Sequence, residues 1–152
     1  MKNRLTNALT PSGANRKHSF TVLLLVLSLV SCSIIAPFDE FTLNESYSIK
    51  RDVAVLYQLL KDVPPEQRQY EPFQRDYAYV VASLNGLLDR QKYRKNNEET
   101  TKIVKQILDF VIKYRDAHKD KGTYKNAKIK LHSKRLNSLM KALIFAEEAK
   151  QR

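Results

Sequence analysis

Residues 20–32 constrain what this chain can fold into, and where it is located, more than any other stretch. Its first eleven residues, 20–30, are apolar or small and carry no charge. Such a run is too short to cross a bilayer as a helix, which takes about 20 residues. It follows four Lys and Arg residues with no acidic residue among them. A basic start, a short apolar run and small residues at its end are typical of a secretory signal peptide, so we predict that residues 1–31 are cleaved.

The end of this stretch, Leu29-Val30-Ser31-Cys32, resembles the bacterial lipobox. The resemblance implies that a diacylglycerol and fatty acids such as palmitate are attached to Cys32. It also implies that Ser33, where some lipoproteins carry Asp, sorts the product to the outer membrane. Cys32 is the only cysteine, so it forms no internal disulfide, and lipidation would account for an exported thiol. Two alternatives stay open, namely a buried helix that ends in cysteine and a secretory signal cleaved at a non-lipidated site.

The segment after Cys32 is expected to be a short tether. Pro37 disfavours helix at Ala36, so residues 32–41 read as an extended, lipid-anchored link to a helical domain at 42–150. Ala36-Pro37-Phe38-Asp39 also resembles the Ala-Pro-aromatic-Asp segment of a group of small uncharacterised bacterial lipoproteins. That resemblance brings no known activity with it.

Four segments of the mature chain carry apolar residues at spacings of three and four, which predicts four amphipathic helices at about 42–62, 66–94, 98–119 and 124–149. The first two stripes are Ile49, Val53, Leu56, Leu60, Val63 and Tyr70, Phe73, Tyr77, Val80, Leu84, Leu87. The other two are Ile103, Ile107, Phe110 or Val111, Tyr114 and Ile129, His132, Leu136, Leu139, Leu143, Ala146. Short joins between helices with one apolar face each predict an all-α, antiparallel four-helix bundle.

Polar and glycine residues mark the expected ends of these helices. Thr42 and Glu45 fit a capping box at the first helix start. Asn97 is expected to cap the third helix, and Gly122 to stop it. Gly86 falls inside the second helix, where we expect it to allow the close approach of a neighbouring helix.

Candidate catalytic and metal-binding residues are few. His118 and His132 lie near the same turn and could meet, but Glu-x-x-His is absent, which argues against a di-iron bundle. Ser138 and Lys141 have the Ser-x-x-Lys spacing of penicillin-interacting enzymes without the other motifs that those enzymes need. We therefore expect no enzyme, no metal site and no cofactor. A small-ligand or metal-binding bundle in the periplasm remains the alternative.

The tyrosines divide into two groups by their position on the helices. Tyr77 and Tyr114 fall on apolar stripes and are expected in the core. Tyr57, Tyr79 and Tyr93 fall off the stripes and are candidates for an interface.

Positive charge is concentrated around the third turn. Residues 113–135 contain nine Lys and Arg against two Asp, a net charge of +7, which equals the net charge of the whole mature chain. We predict an anion-attracting tip formed by five lysines, Lys119, Lys121, Lys125, Lys128 and Lys130. The alternative is a merely solvated helix end.

Up-down topology would put this tip far from a lipid anchor. Its expected partner is then an acidic protein, the cell-wall polymer or the opposing membrane, and nucleic acid is not expected in the cell envelope.

Overall fold

A computed structural model of the chain describes residues 35–151, which form four α-helices and no strand. The helices are α1 (Glu40–Asp62), α2 (Gln74–Lys92), α3 (Glu98–Lys121) and α4 (Asn126–Glu148). Short 3-10 turns occur at Pro65–Gln67, Glu71–Phe73 and Ala149–Gln151. The predicted all-α fold is confirmed. The predicted signal peptide, Cys32 and Ser33 lie outside the described residues.

The four helices close into a ring around one core. Each helix packs on its neighbours in the chain, and α1 also packs on α4. Short turns make successive helices antiparallel, as the bundle prediction requires. Apolar side chains from all four helices meet in a single buried cluster.

The predicted stripes face this core. The structure decides the choice left open in α3 and corrects the stripe of α4. All six residues of the second stripe are buried, and in the first stripe Val63 is only partly buried. In α3 the core residue is Val111 rather than Phe110. In α4 Met140 is fully buried, whereas Leu139 is only partly buried. In both pairs, adjacent apolar residues point about 100° apart, and only one of them can face the centre of the bundle.

The capping box predicted at the start of α1 is wrong. The helix begins at Glu40, and Asp39 is the residue before it. Thr42 therefore lies in the first turn, where its hydroxyl donates to Asp39 Oδ2 at 2.6 Å. The start of α2 is also corrected, because 3-10 turns that contain Pro65 and Pro72 occupy the predicted first turns.

The two glycines have different surroundings. A Cβ atom at Gly86 would meet nothing within 4 Å, so the predicted close approach of a neighbouring helix is wrong. Gly122 ends α3, as predicted, with φ of +60° and its N–H bonded to the His118 carbonyl at 3.0 Å. This left-handed conformation favours glycine because it has no Cβ.

The bundle has two distinct ends, which we call the Asp39 end and the Gly122 end. At the Asp39 end residues 36–39 contact the turn at 93–97, for example through Ala36 N–H to the Asn96 carbonyl at 2.8 Å. At the Gly122 end the Thr123 hydroxyl donates to the Pro65 carbonyl at 3.1 Å. The 24 residues of α3 separate the two ends by about 35 Å. Within residues 35–151, no helix combines the length and the apolar character needed to span a membrane.

Candidate functional site: a lysine cluster at the Gly122 end

The five predicted lysines lie together at the Gly122 end, on the last turn of α3, on the connecting turn and on the first turns of α4. We call them the lysine cluster. Lys119, Lys121, Lys125 and Lys130 are exposed, and Lys128 is half-buried. The structure therefore brings the predicted residues onto one end of the bundle.

The lysine cluster keeps a net positive charge, although Asp120 lies between Lys119 and Lys121 in the sequence. Within residues 35–151 none of the five lysines forms a salt bridge, whereas Lys92, Lys105 and Lys150 pair with Asp89, Asp109 and Glu147. The nearby Lys121 ammonium lowers the pKa of Lys128, and slight burial and the charge of Lys125 lower it further. Like charges that crowd together in this way create a local positive potential.

The turn that carries the cluster is fixed to the α1–α2 connection. Arg68, which is buried, donates from Nη1 to the Tyr124 carbonyl at 3.2 Å and to Asn126 Oδ1 at 2.5 Å. Its Nε donates to the Val63 carbonyl at 2.6 Å. The lysines consequently stand on a rigid base.

A layer of aromatic rings lies beneath the lysine cluster. His118 is fully buried, and its Nε2 lies 2.8 Å from the Arg68 carbonyl. Because a carbonyl only accepts, Nε2 carries the proton and Nδ1 accepts from the Tyr77 hydroxyl at 3.2 Å. His132 stacks on Tyr114 with ring centroids 3.5 Å apart.

Tyr124 joins the two histidines in this layer. Its ring stacks on His118 with centroids 4.7 Å apart, and its hydroxyl bonds to His132 Nδ1. The Tyr57 hydroxyl lies 3.5 Å from that of Tyr124. Burial raises the pKa of Tyr124 to about 12, so this hydroxyl stays neutral near pH 7.

Burial favours the neutral form of both histidines. Burial lowers the pKa of His118, although the bond to the Arg68 carbonyl partly opposes this. Burial, followed by the charges of Lys128, Arg135 and Lys113, lowers the pKa of His132 from 6.5 to about 4. The described residues contain no group of three or more His, Cys, Asp or Glu side chains placed to hold a metal ion.

The tyrosine predictions are confirmed in part. Tyr77 and Tyr114 are in the core, as expected, and Tyr79 and Tyr93 are exposed. Tyr57 is buried, so its assignment to an interface is wrong. Tyr57 follows Leu56 on α1, near the Gly122 end of the core, and its ring contacts that of Tyr124 there. The sequence therefore predicted only part of the aromatic layer.

A shallow groove adjoins the lysine cluster between α3 and α4. It has a volume of about 590 Å³ and is lined by Gln106, Phe110, Leu131, Lys134, Arg135, Ser138 and Leu139. Leu131 is exposed, and Arg135 lies over the Phe110 ring at 5.2 Å while it donates to the Tyr114 hydroxyl. The lining thus contains apolar side chains and two cations but no carboxylate.

A buried polar network occupies the opposite, Asp39 end. Glu147 is fully buried and accepts from the Asp39 N–H at 2.8 Å, from Arg94 Nη2 at 3.2 Å and from Lys150 Nζ at 2.7 Å. Arg90 binds both oxygens of Asp39, at 2.8 and 2.9 Å, and these bonds hold the pKa of Asp39 well below its usual value. This network fastens the first described residues to α2 and α4, and no sequence motif marked it.

Comparisons of this chain with protein-family models, with curated proteins and with solved structures find no match.

Proposed function

We propose that the chain is a bacterial lipoprotein of the cell envelope, anchored in the outer membrane through lipidated Cys32. Its helical domain is a non-enzymatic interaction module in the periplasm, and the lysine cluster binds an acidic partner. The proposal that Cys32 is lipidated is supported by the sequence of residues 20–32. The observation that carries the binding proposal is the lysine cluster, which is exposed, fixed to a rigid base and unpaired by any carboxylate among residues 35–151.

The position of the cluster supports a partner away from the anchor. The first described residues are bound at the Asp39 end, and the lysine cluster is about 35 Å away along α3. A domain tethered through residues 33–35 would therefore present the cluster away from its own bilayer. An acidic partner in the periplasm would meet the cluster first.

The neighbouring groove favours an acidic protein over the cell-wall polymer. Lys134 of the groove lining lies one helical turn after Lys130 on the same face of α4, so the groove continues from the cluster. A protein segment can supply carboxylates to the lysines and apolar side chains to Phe110 and Leu139. A polyanionic glycan would leave the apolar surface uncovered.

Lipidation is tested with labelled fatty acid in the native host. The label should enter the wild-type protein and should not enter Cys32→Ser, and the wild-type protein should fractionate with the outer membrane. Equal labelling of both proteins would overturn the lipoprotein proposal.

The binding role is tested by cross-linking in intact cells. A variant with all five cluster lysines changed to Gln should lose its cross-linked partner. A control with five other exposed lysines changed to Gln, at Lys92, Lys95, Lys102, Lys105 and Lys141, removes the same charge and should keep the partner. With purified components the complex should weaken as salt rises, because charges interact over only about 8 Å at physiological ionic strength. Equal cross-linking by both variants would show that the cluster is a solvated helix end.

A further inference from the structure

The Asp39 end carries exposed apolar side chains that the fold leaves uncovered. Tyr93 is 89% exposed, Ile35 72% and Phe41 54%. Tyr93 follows the last residue of α2, and Phe41 is the second residue of α1. Near the Gly122 end the comparable exposed apolar side chain is Leu131 on α4, at 53%. The Asp39 end therefore has more exposed apolar side chains, and two of its three are aromatic.

The residues next to this end are fixed in place. The Ala36 N–H donates to the Asn96 carbonyl, and Arg94 donates to the Pro37 carbonyl. Arg90 holds Asp39 through two hydrogen bonds. The chain is thus bound to the bundle from Ala36 onward, and no free linker remains in the described residues after it.

The length of chain before Ala36 limits how far the bundle can lie from an anchor. Four peptide steps separate Cys32 from Ala36, and fully extended they reach at most about 14 Å. The polar headgroup region on each side of a bilayer is about 5–8 Å deep. A lipid attached to Cys32, as our proposed function requires, would keep the Asp39 end at the headgroups.

We propose that the Asp39 end lies against the bilayer surface and that Ile35, Phe41 and Tyr93 enter its interfacial region. Tyrosine is enriched at the level of the headgroups because its ring is amphipathic. Arg90 lies over the Phe41 ring at 4.5 Å, which places a cation beside the apolar contact. This inference rests on the lipidation of Cys32 and adds a second, direct contact between the domain and lipid.

The charges at this end indicate that the contact depends on the apolar side chains. Lys92 and Lys95 are exposed there, and so are Glu40, Glu98 and Glu99. Charges of both signs cancel over a surface of this size, so we expect the same contact with zwitterionic and anionic lipids. This differs from a polybasic surface, which binds anionic lipids alone.

The test uses the mature, lipidated protein, residues 32–152, in vesicles. Lipidation converts the Cys32 sulfur into a thioether, so a cysteine introduced elsewhere is the sole thiol for an environment-sensitive fluorophore. Tyr93→Cys reports on the Asp39 end. Tyr79→Cys, an exposed tyrosine midway along α2, and Lys121→Cys at the Gly122 end are the controls. Vesicles contain phosphatidylcholine alone or with phosphatidylglycerol, and carry lipids with a spin label near the headgroup.

The label at position 93 should shift to shorter wavelength and lose most of its emission to the spin label in both kinds of vesicle. The labels at 79 and 121 should retain the emission that they have in detergent-free buffer. Equal behaviour at 93 and 121 in protein whose mass shows a lipidated Cys32 would overturn the surface contact and leave the proposed function intact. A shift at 93 only with phosphatidylglycerol would overturn the apolar mode of contact. An unmodified Cys32 would overturn both proposals.

Discussion

Arg94 and Glu147 form an ion pair across the Asp39 end, with Arg94 Nη2 3.2 Å from Glu147 Oε1, although the Glu147 side chain is fully buried. The residues are 53 positions apart, and the same carboxylate also accepts from the Asp39 N–H at Oε1 and from Lys150 at Oε2. A buried carboxylate is tolerated only when its partners are all present. This one joins α1, α2 and α4 at a single point.

Glu147→Gln should therefore destabilise the domain by about 3–5 kcal/mol, because Lys150 would lose its paired carboxylate and Arg94 would keep only Asp39, at 4.0 Å. Glu148→Gln is the matched control, since Glu148 is partly exposed and accepts from the exposed Tyr47 hydroxyl, so its loss should cost less than about 0.5 kcal/mol. Urea unfolding followed by circular dichroism measures both values. Similar midpoints for the two variants would show that the network contributes little.

The two glycines should respond to alanine in opposite directions. Gly86→Ala should stabilise the domain by about 0.5–1 kcal/mol, because the added methyl group meets no atom and alanine is the better helix former. Gly122→Ala should destabilise it by about 1 kcal/mol, because φ of +60° strains any residue with a Cβ. Thermal melting distinguishes the two, and a lower melting temperature for Gly86→Ala would contradict the open surroundings of this residue.

Met140→Ala should cost about 2–5 kcal/mol, because Met140 is fully buried among residues of the core. Leu139→Ala, one residue away and only partly buried, should cost clearly less. Denaturant midpoints of the two variants decide which side of α4 faces the core. Equal losses of stability in the two variants would mean that Met140 and Leu139 contribute equally to the packing of α4 on the core.

Stability should fall as the pH is lowered from 7 to 5. His132 has a folded pKa of about 4 and an unfolded value near 6.5, so the unfolded chain binds the proton first below pH 6.5. His118, with a lowered pKa, acts in the same direction. The expected loss is about 1–2 kcal/mol from His132 alone.

His132→Gln checks this assignment. The substitution removes one of the two titrating histidines. The free energy of unfolding of the variant should therefore depend less on pH across the same range. A profile parallel to that of the wild type would assign the pH dependence to other groups.

Periodicity predicted the fold because burial on one helix face is a local property of the sequence. The residues Tyr77, Val80, Leu84 and Leu87 illustrate this, since their spacing alone put them in the core. The same reasoning failed where two apolar residues are adjacent, as at Leu139 and Met140. There the angle at which α4 packs on its neighbours decides which of the two residues is buried, and that angle depends on all four helices.

The candidate site was predictable to the extent that it is local in sequence. The lysine cluster spans twelve residues, so charge counting located it. Tyr57 and Arg68 contact Tyr124 from 67 and 56 residues away, and no local pattern predicts such contacts. Asp39 likewise replaces Thr42 at the start of α1 because Arg90 and Glu147 bind it there.

The packing of α1 on α4 has a consequence for the order of folding. α1 and α4, the two helices that are most distant in sequence, share the most extensive interface of the bundle. The contacts between α2 and α3 are local in sequence by comparison. Local contacts close small loops and form early, and contacts over about a hundred residues form late. If the chain is exported with its N-terminus first, as proposed above, α1 can pack on α2 early. The part of the α1 apolar face that packs on α4 then stays exposed until the last helix has emerged.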